Sequence, residues 1–168
     1  MIAIAERTFG LLALLSIGVA IATAIALVTR RVPDWLRDDV AQPLALAIAV
    51  VTSGGSLLLS EVAGYLPCEL CWYQRIAMYP LVVIIAVAIV RGDREVWRTV
   101  VPLAGIGSAI SIWHILLEQN PGWGGPCDDS APCTILWVQE LGFLTLPTMA
   151  LIAFVTIGLL TMAARRPA

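Results

Sequence analysis

The sequence has no lysine, a single histidine and few charges of either sign. All ten basic residues are arginine, and charged residues make up 13% of the 168 positions, where a soluble domain carries about 25%. With 60% hydrophobic residues and a mean hydropathy of +0.90, this scarcity excludes an ordinary soluble domain and points to an integral membrane protein. A net charge of -2 makes no case for a nucleic-acid or acidic-substrate partner. There is no internal repeat, no phosphate-cradling glycine loop and no paired-carboxylate arrangement. Haem attachment signatures and iron–sulfur spacings are also missing. The run Gly122 to Gly125 reads as turn chemistry around Trp123.

What is present is five apolar runs, each long enough to cross a hydrocarbon core of roughly 30 Å as a helix. They extend from about Phe9 to Val28, Leu44 to Leu66, Trp72 to Val90, Thr99 to Leu117 and Leu141 to Met162. Ala22-Thr23-Ala24 resembles a signal-peptide cleavage site. Glu6 and Arg7 before the first run and Arg30-Arg31 after it instead predict an uncleaved helix. Residues 30–43, with Pro33 and Pro43, read as a connecting loop. In the second run, Ser53-Gly54-Gly55-Ser56 offers small residues for close helix approach.

Arginine placement gives the orientation. Arg30, Arg31, Arg37, Arg91, Arg94, Arg98, Arg165 and Arg166 fall on one side, and only Arg7 and Arg75 on the other. The positive-inside rule makes the arginine-rich side cytoplasmic, together with the C-terminus. The two cysteine pairs, Cys68/Cys71 and Cys127/Cys133, then face outward, where disulfides persist.

The stretch Pro67-Cys68-Glu69-Leu70-Cys71-Trp72-Tyr73-Gln74-Arg75 starts the third run. A helix beginning there places Cys71 in its first turn and Arg75 one turn further on the same face. Helix N-terminus and guanidinium both stabilise a thiolate, the form that attacks disulfides and electrophilic rings. Two outward cysteine pairs admit structural staples, a metal site or a thiol–disulfide relay. The Cys-x5-Cys spacing of the second pair in an oxidising loop argues against zinc, so no metal is expected. A relay needs an acceptor for two electrons, and a lipid-soluble quinone suits a site at the depth of Cys71 and Arg75. Glu61, near the end of the second run, is expected to be a buried acid pairing with Arg75. His114, near the outer end of the fourth run, lies at comparable depth to the motif.

The run Cys68 to Arg75 with Met78-Tyr79-Pro80 resembles the first active-site motif of the DsbB/BdbC family of membrane thiol:quinone oxidoreductases, the BdbC-like branch most closely. Ser60-Glu61, His114, Pro132-Cys133, Gly142-Phe143 and Pro147 agree with it, over roughly residues 44–164. The resemblance implies an all-α, polytopic transmembrane helical bundle. Its four-helix core would span 44–164, with an additional helix and cytoplasmic loop over 1–43 and a cytoplasmic tail over 165–168. It implies a multi-pass enzyme of the bacterial cytoplasmic membrane that reoxidises an extracytoplasmic thioredoxin-fold thiol oxidase (DsbA/BdbD-like) and reduces ubiquinone or menaquinone. By position, Cys127 is attacked by the partner, Cys133 exchanges with Cys68, and Cys71 forms the thiolate adduct with quinone. Arg75 and His114 would line the quinone pocket, and Glu61, which matches the BdbC-like pattern, joins them as a candidate pocket residue. Two features depart from the family pattern: the additional first span, and the close spacing of Cys127 and Cys133, which favours a local disulfide but limits how far Cys133 can travel towards Cys68. The rival functions are a scaffold or assembly protein with two structural disulfides, and a membrane reductant of outside disulfides.

Overall fold

Each apolar run becomes a helix: α1 Ile2–Val28, α2 Ala41–Glu61, α3 Glu69–Arg91, α4 Trp97–Gln119 and α5 Leu146–Ala163. The structure is a computed structural model that describes residues 2–123, 127 and 132–165. The expected turn residues Gly124 and Gly125, and Arg166 with the rest of the tail, lie outside the described residues. All five helices are long and apolar enough to cross a membrane. Among the described residues there is no strand, only one isolated bridge between Glu140 and Leu144. The architecture is an all-α polytopic bundle.

Several helix ends differ from those expected, for local reasons. α2 begins at Ala41 because Pro43 falls in its first turn, where a missing N–H costs nothing. The preceding loop contains a π-helical turn, Leu36–Val40. α2 stops at Glu61 instead of continuing to Leu66. α3 starts at Glu69, with Cys68 as its N-cap. It ends where Gly92 takes a left-handed conformation (φ 64°) and donates its N–H to the Ala88 and Ile89 carbonyls. α5 begins at Leu146 because Leu141 and Gly142 take positive φ (54° and 80°) in a turn closed by the Glu140–Leu144 backbone hydrogen bonds.

α5 lies at the centre, packed against α4, α2 and α1, while α3 packs between α2 and α4. Ala41, Ala45 and Ala49 form a fully buried stripe on α2, spaced four apart, which lets its neighbours approach closely. Phe154, Ile157 and Leu160 of α5 meet Leu81 and Ile85 of α3 in the same core. Gly107 of α4 makes room for Phe154: a Cβ there would come within 2.4 Å of the Phe154 ring. Gly107→Ala is therefore expected to destabilise the bundle by about 1–3 kcal/mol through overpacking. Thermal unfolding in detergent reads this directly, and an unchanged midpoint would show that the Phe154 ring moves aside freely.

The two ends of the bundle are chemically distinct. At one end, Gln42 donates to the Asp93 carbonyl (2.7 Å), Arg94 to the Arg37 carbonyl (2.6 Å), and Arg165 lies 6.0 Å from the Trp97 ring centroid. That end collects seven described arginines: Arg30, Arg31, Arg37, Arg91, Arg94, Arg98 and Arg165. The other end holds the N-termini of α1, α3 and α5, the C-termini of α2 and α4, and all four cysteines.

Candidate active site

The geometry of the cysteine end starts from the cap of α3. Cys68 has extended backbone dihedrals (φ -71°, ψ 171°), and its sulfur accepts the Cys71 N–H at 3.4 Å, one of the donors a helix start leaves unsatisfied. The two residues carry free thiols whose sulfurs lie 3.0 Å apart. Cys68 is buried, while Cys71 is partly open.

The two sulfurs face different surroundings. On one side, the Sγ of Cys68, a ring nitrogen of His114 and the Sγ of Cys133 all lie within 4.8 Å of one another. His114 Nε2 is 3.2 Å from the Cys133 carbonyl oxygen and 3.7 Å from Cys68 Sγ. A carbonyl only accepts, so Nε2 carries the proton in that contact. Nδ1 is buried without a hydrogen-bond partner among the described residues. Cys133 is joined to Cys127 (Cα–Cα 5.8 Å), so its sulfur is engaged in a disulfide and is not a thiolate ligand for a metal. Of that pair, Cys133 is buried against Cys68, whereas Cys127 is partly exposed. The close spacing of the second pair therefore imposes no journey on Cys133, which already adjoins Cys68.

On the other side, Cys71 opens into a cavity of about 380 Å³, within the roughly 300–1,000 Å³ of small-molecule sites. Its lining is mostly apolar, and its polar members include Ser56, Gln74 and Arg75, the one charged side chain in the wall. Arg75 is 7% exposed, donating from Nε to Ser56 Oγ (2.9 Å) and from Nη2 to the Ser56 carbonyl (3.0 Å). Its guanidinium carbon lies 5.1 Å from the Trp72 ring centroid. Gln74 donates to Ser111 Oγ (3.0 Å), which donates in turn to the Gly107 carbonyl (2.9 Å).

Cys68, just outside the α3 span, has a thiol held down to about 4, first by its hydrogen bond with Cys71, then, against the cost of burial, by His114. A depressed thiol favours the reduced, thiolate form. That contribution is complete above the ordinary thiol range near about 8.5 and is lost as pH falls through about 4.

Two sequence expectations are placed differently. Glu61 is exposed, accepts only the adjacent Ser60 hydroxyl (3.3 Å) and makes no ion pair with Arg75 among the described residues. The α2 helix ends at Glu61, which turns its side chain out of the bundle, and neutral Ser56 takes the arginine instead. His114 is close to Cys68, as its depth suggested, but it faces Cys133 and is not part of the cavity wall. Sequence reasoning missed Glu118, which is half-buried one helical turn beyond His114 and accepts the Thr145 hydroxyl at 2.8 Å. Its i+4 spacing from His114 was the available signal. It also missed Tyr65, which donates its hydroxyl to Glu6 and stacks on Trp137 with centroids 5.0 Å apart, tying α1 and the second cysteine loop to the connection before Cys68.

A family model described as "Disulfide bond formation protein DsbB" matches residues 39–164. The disulfide bond formation protein C of Bacillus subtilis is 47% identical over 112 residues, 66% of this chain and 81% of that protein. A probable disulfide formation protein of Oceanobacillus iheyensis is 43% identical over 115 residues, 67% of this chain and 79% of its own. One from Metapseudomonas resinovorans is 39% identical over 126 residues, 73% of this chain and 88% of its own. No solved structure matches the chain. With the match extending over well more than half its length, the chain belongs to the DsbB family of disulfide bond formation proteins.

Proposed function

We propose that this membrane disulfide oxidoreductase reoxidises a thioredoxin-fold thiol oxidase outside the cytoplasmic membrane and passes the electrons to a membrane quinone, ubiquinone or menaquinone. The observation that carries the reading is the division of labour at the first pair: Cys68 adjoins Cys133, while Cys71 opens into the apolar cavity beside Arg75. The four-helix core is the bundle over 44–164, flanked by the additional helix and loop over 1–43 and by the tail 165–168. The cysteine end faces out of the cell and the arginine end faces the cytoplasm, as the positive-inside rule requires.

The chain's own residues do the following. A thiolate of the partner attacks Cys127, the more accessible member of the second pair, and Cys133 leaves as a thiolate. Cys133 attacks Cys68 of the oxidised first pair, releasing Cys71 as a thiolate. The partner's second thiol resolves its bond to Cys127, and the partner leaves oxidised. Cys127 then attacks Cys133, restoring the second disulfide and releasing Cys68 as a thiolate. Two electrons now reside on Cys68 and Cys71 as the reduced pair. His114, with its proton on Nε2 beside both Cys68 and the Cys133 backbone, steadies the sulfur charge that passes between them.

The cavity fits a quinone: an apolar enclosure suits the ring and its tail, and a buried guanidinium suits a ring oxygen. Quinone supplies the electron sink, taking up two electrons and two protons as Cys68 and Cys71 close to a disulfide. Arg75 is the residue to hold it, oriented by Ser56, with Gln74 as a second polar contact in the wall.

The test follows quinone absorbance with purified protein in detergent, a quinone analogue and a reduced thioredoxin-fold oxidase. Quinone loss should depend on the thiol donor and should fall to background in Cys127→Ser, which removes the entry point. Donor-dependent loss at an undiminished rate in that variant, or none with the wild type, would overturn the reading.

A further inference from the structure

α1 lies outside the family match, which begins at residue 39, yet it is attached to the bundle at defined points. Thr156 of α5 donates to the Ser16 carbonyl (3.3 Å), and Tyr65 donates to Glu6. Thr23 is buried although it is polar. Phe9 fills the space over Gly55 of α2, where a Cβ would stand 2.8 Å from its ring. Gly55 is the neighbour of Ser56, the residue that holds Arg75.

Phe9, Leu12, Ala13, Leu15, Ser16 and Val19 all line the cavity that also receives Cys71 and Arg75. Their spacing of three and four residues makes one continuous stripe of the helix. The rest of α1 is largely exposed: Leu11, Ile21 and Ile25 are 63%, 55% and 58% exposed. α1 therefore turns one side to the protein, and the part of that side between Phe9 and Val19 is cavity wall.

We infer that α1 is a structural part of the electron-acceptor site, forming with α2, α3 and α5 the enclosure around a lipid-soluble quinone, with Phe9 closing it beside Ser56 and Arg75. The inference rests on the proposed quinone reading and adds a residue set that the four-helix core does not contain. The redox step is unchanged: Cys68 and Cys71 together give up two electrons as a sulfur–sulfur bond forms, and the quinone takes these with two protons, drawn from the reduced pair and the solvent, to become a quinol. What α1 adds is recognition. Its stripe excludes bilayer chains from one flank of the ring, and the small side chains of Ala13 and Ser16 leave the width the ring needs.

The experiment uses the full chain in nanodiscs with a photoreactive azidoquinone, followed by peptide mapping with and without excess unlabelled quinone. Ala13→Trp, which fills the cavity, and Ile21→Trp, which points away from it on the same helix, are compared for the quinone KM. Quinone-competed label on the Phe9–Val19 segment is expected, with KM raised about tenfold or more in Ala13→Trp and unchanged in Ile21→Trp. Competed label confined to α2, α3 and α5 would overturn the role of α1 while leaving the quinone reading intact. Label on α1 that excess phospholipid displaces as well as quinone does would mean a lipid-filled gap and would equally overturn it. No competed label anywhere, with no thiol-dependent quinone loss, would sink the quinone reading and this inference together. Because the label is mapped on the wild type, the result does not depend on Ala13→Trp folding.

Discussion

Cys71→Ser is expected to abolish quinone reduction, by about 10³-fold or more as for removal of other nucleophiles, and to accumulate a Cys68–Cys133 disulfide. Both effects follow from where the two sulfurs point. Cys71 is the member of the pair that opens into the cavity, so its loss disconnects the relay from the acceptor. Cys68 keeps its place within 4.8 Å of the Cys133 sulfur and keeps His114 beside it. With no Cys71 thiol to close on, a Cys68 thiolate attacks Cys133, forms the Cys68–Cys133 bond and releases Cys127 as a thiolate. One disulfide breaks and one forms, so the rearrangement needs no oxidant. Digestion under non-reducing conditions and mass spectrometry identify the new bridge. A variant that reduces quinone within several-fold of wild type, or that keeps Cys127–Cys133 intact beside a free Cys68, would contradict the assignment. Cys71→Ala should behave in the same way, because the loss is of a sulfur and not the gain of a hydroxyl.

Much of this site is legible in the chain because hydropathy and a short motif act locally. The spans follow from apolar runs, and the cysteine and arginine ends follow from counting charges between them. Cys71 in the first turn and Arg75 one turn on need only helix geometry, and both are found. What could not be read depends on how helices end and turn against each other. Glu61 was expected inward, but hydropathy does not locate the last turn of α2, and the helix stops at that residue and exposes it. Arg75 was expected to need a carboxylate. Ser56 satisfies it with a hydroxyl and a carbonyl, a pairing with no charge pattern to reveal it. His114 has the expected depth, but whether it faces the cavity or Cys133 is set by the packing of α3 on α4. α1 is the clearest case. With a mean hydropathy of 2.7 it is apolar all round, so no stripe in the sequence distinguishes its cavity face from its lipid face.

Arg75→Ala should lower kcat/KM for quinone by about 10²–10³-fold, the range for removing a preorganised donor from a site of developing negative charge, or about 2.7–4 kcal/mol. The guanidinium is 7% exposed, and two of its donors are fixed on Ser56. It is therefore held in place before the acceptor arrives, in surroundings where a positive charge acts strongly on a nearby oxygen. Oxidation of the partner in a single turnover should persist, because Cys127, Cys133 and His114 lie on the other side of Cys68 from Arg75. Arg75→Lys is expected to recover little, since a point charge on a flexible stem cannot hold both Ser56 contacts and also meet a ring oxygen. Ser56→Ala, which removes one of the two restraints and no charge, should fall between the wild type and the Arg75 variants, with its loss in kcat larger than its change in KM. Stopped-flow measurement of quinone loss, paired with a gel assay of the partner's redox state, separates the two half-reactions. Equal loss of both in Arg75→Ala would mean that the arginine supports the fold of the α2–α3 pair. Loss of quinone reduction alone would make it the group that receives the electrons' charge.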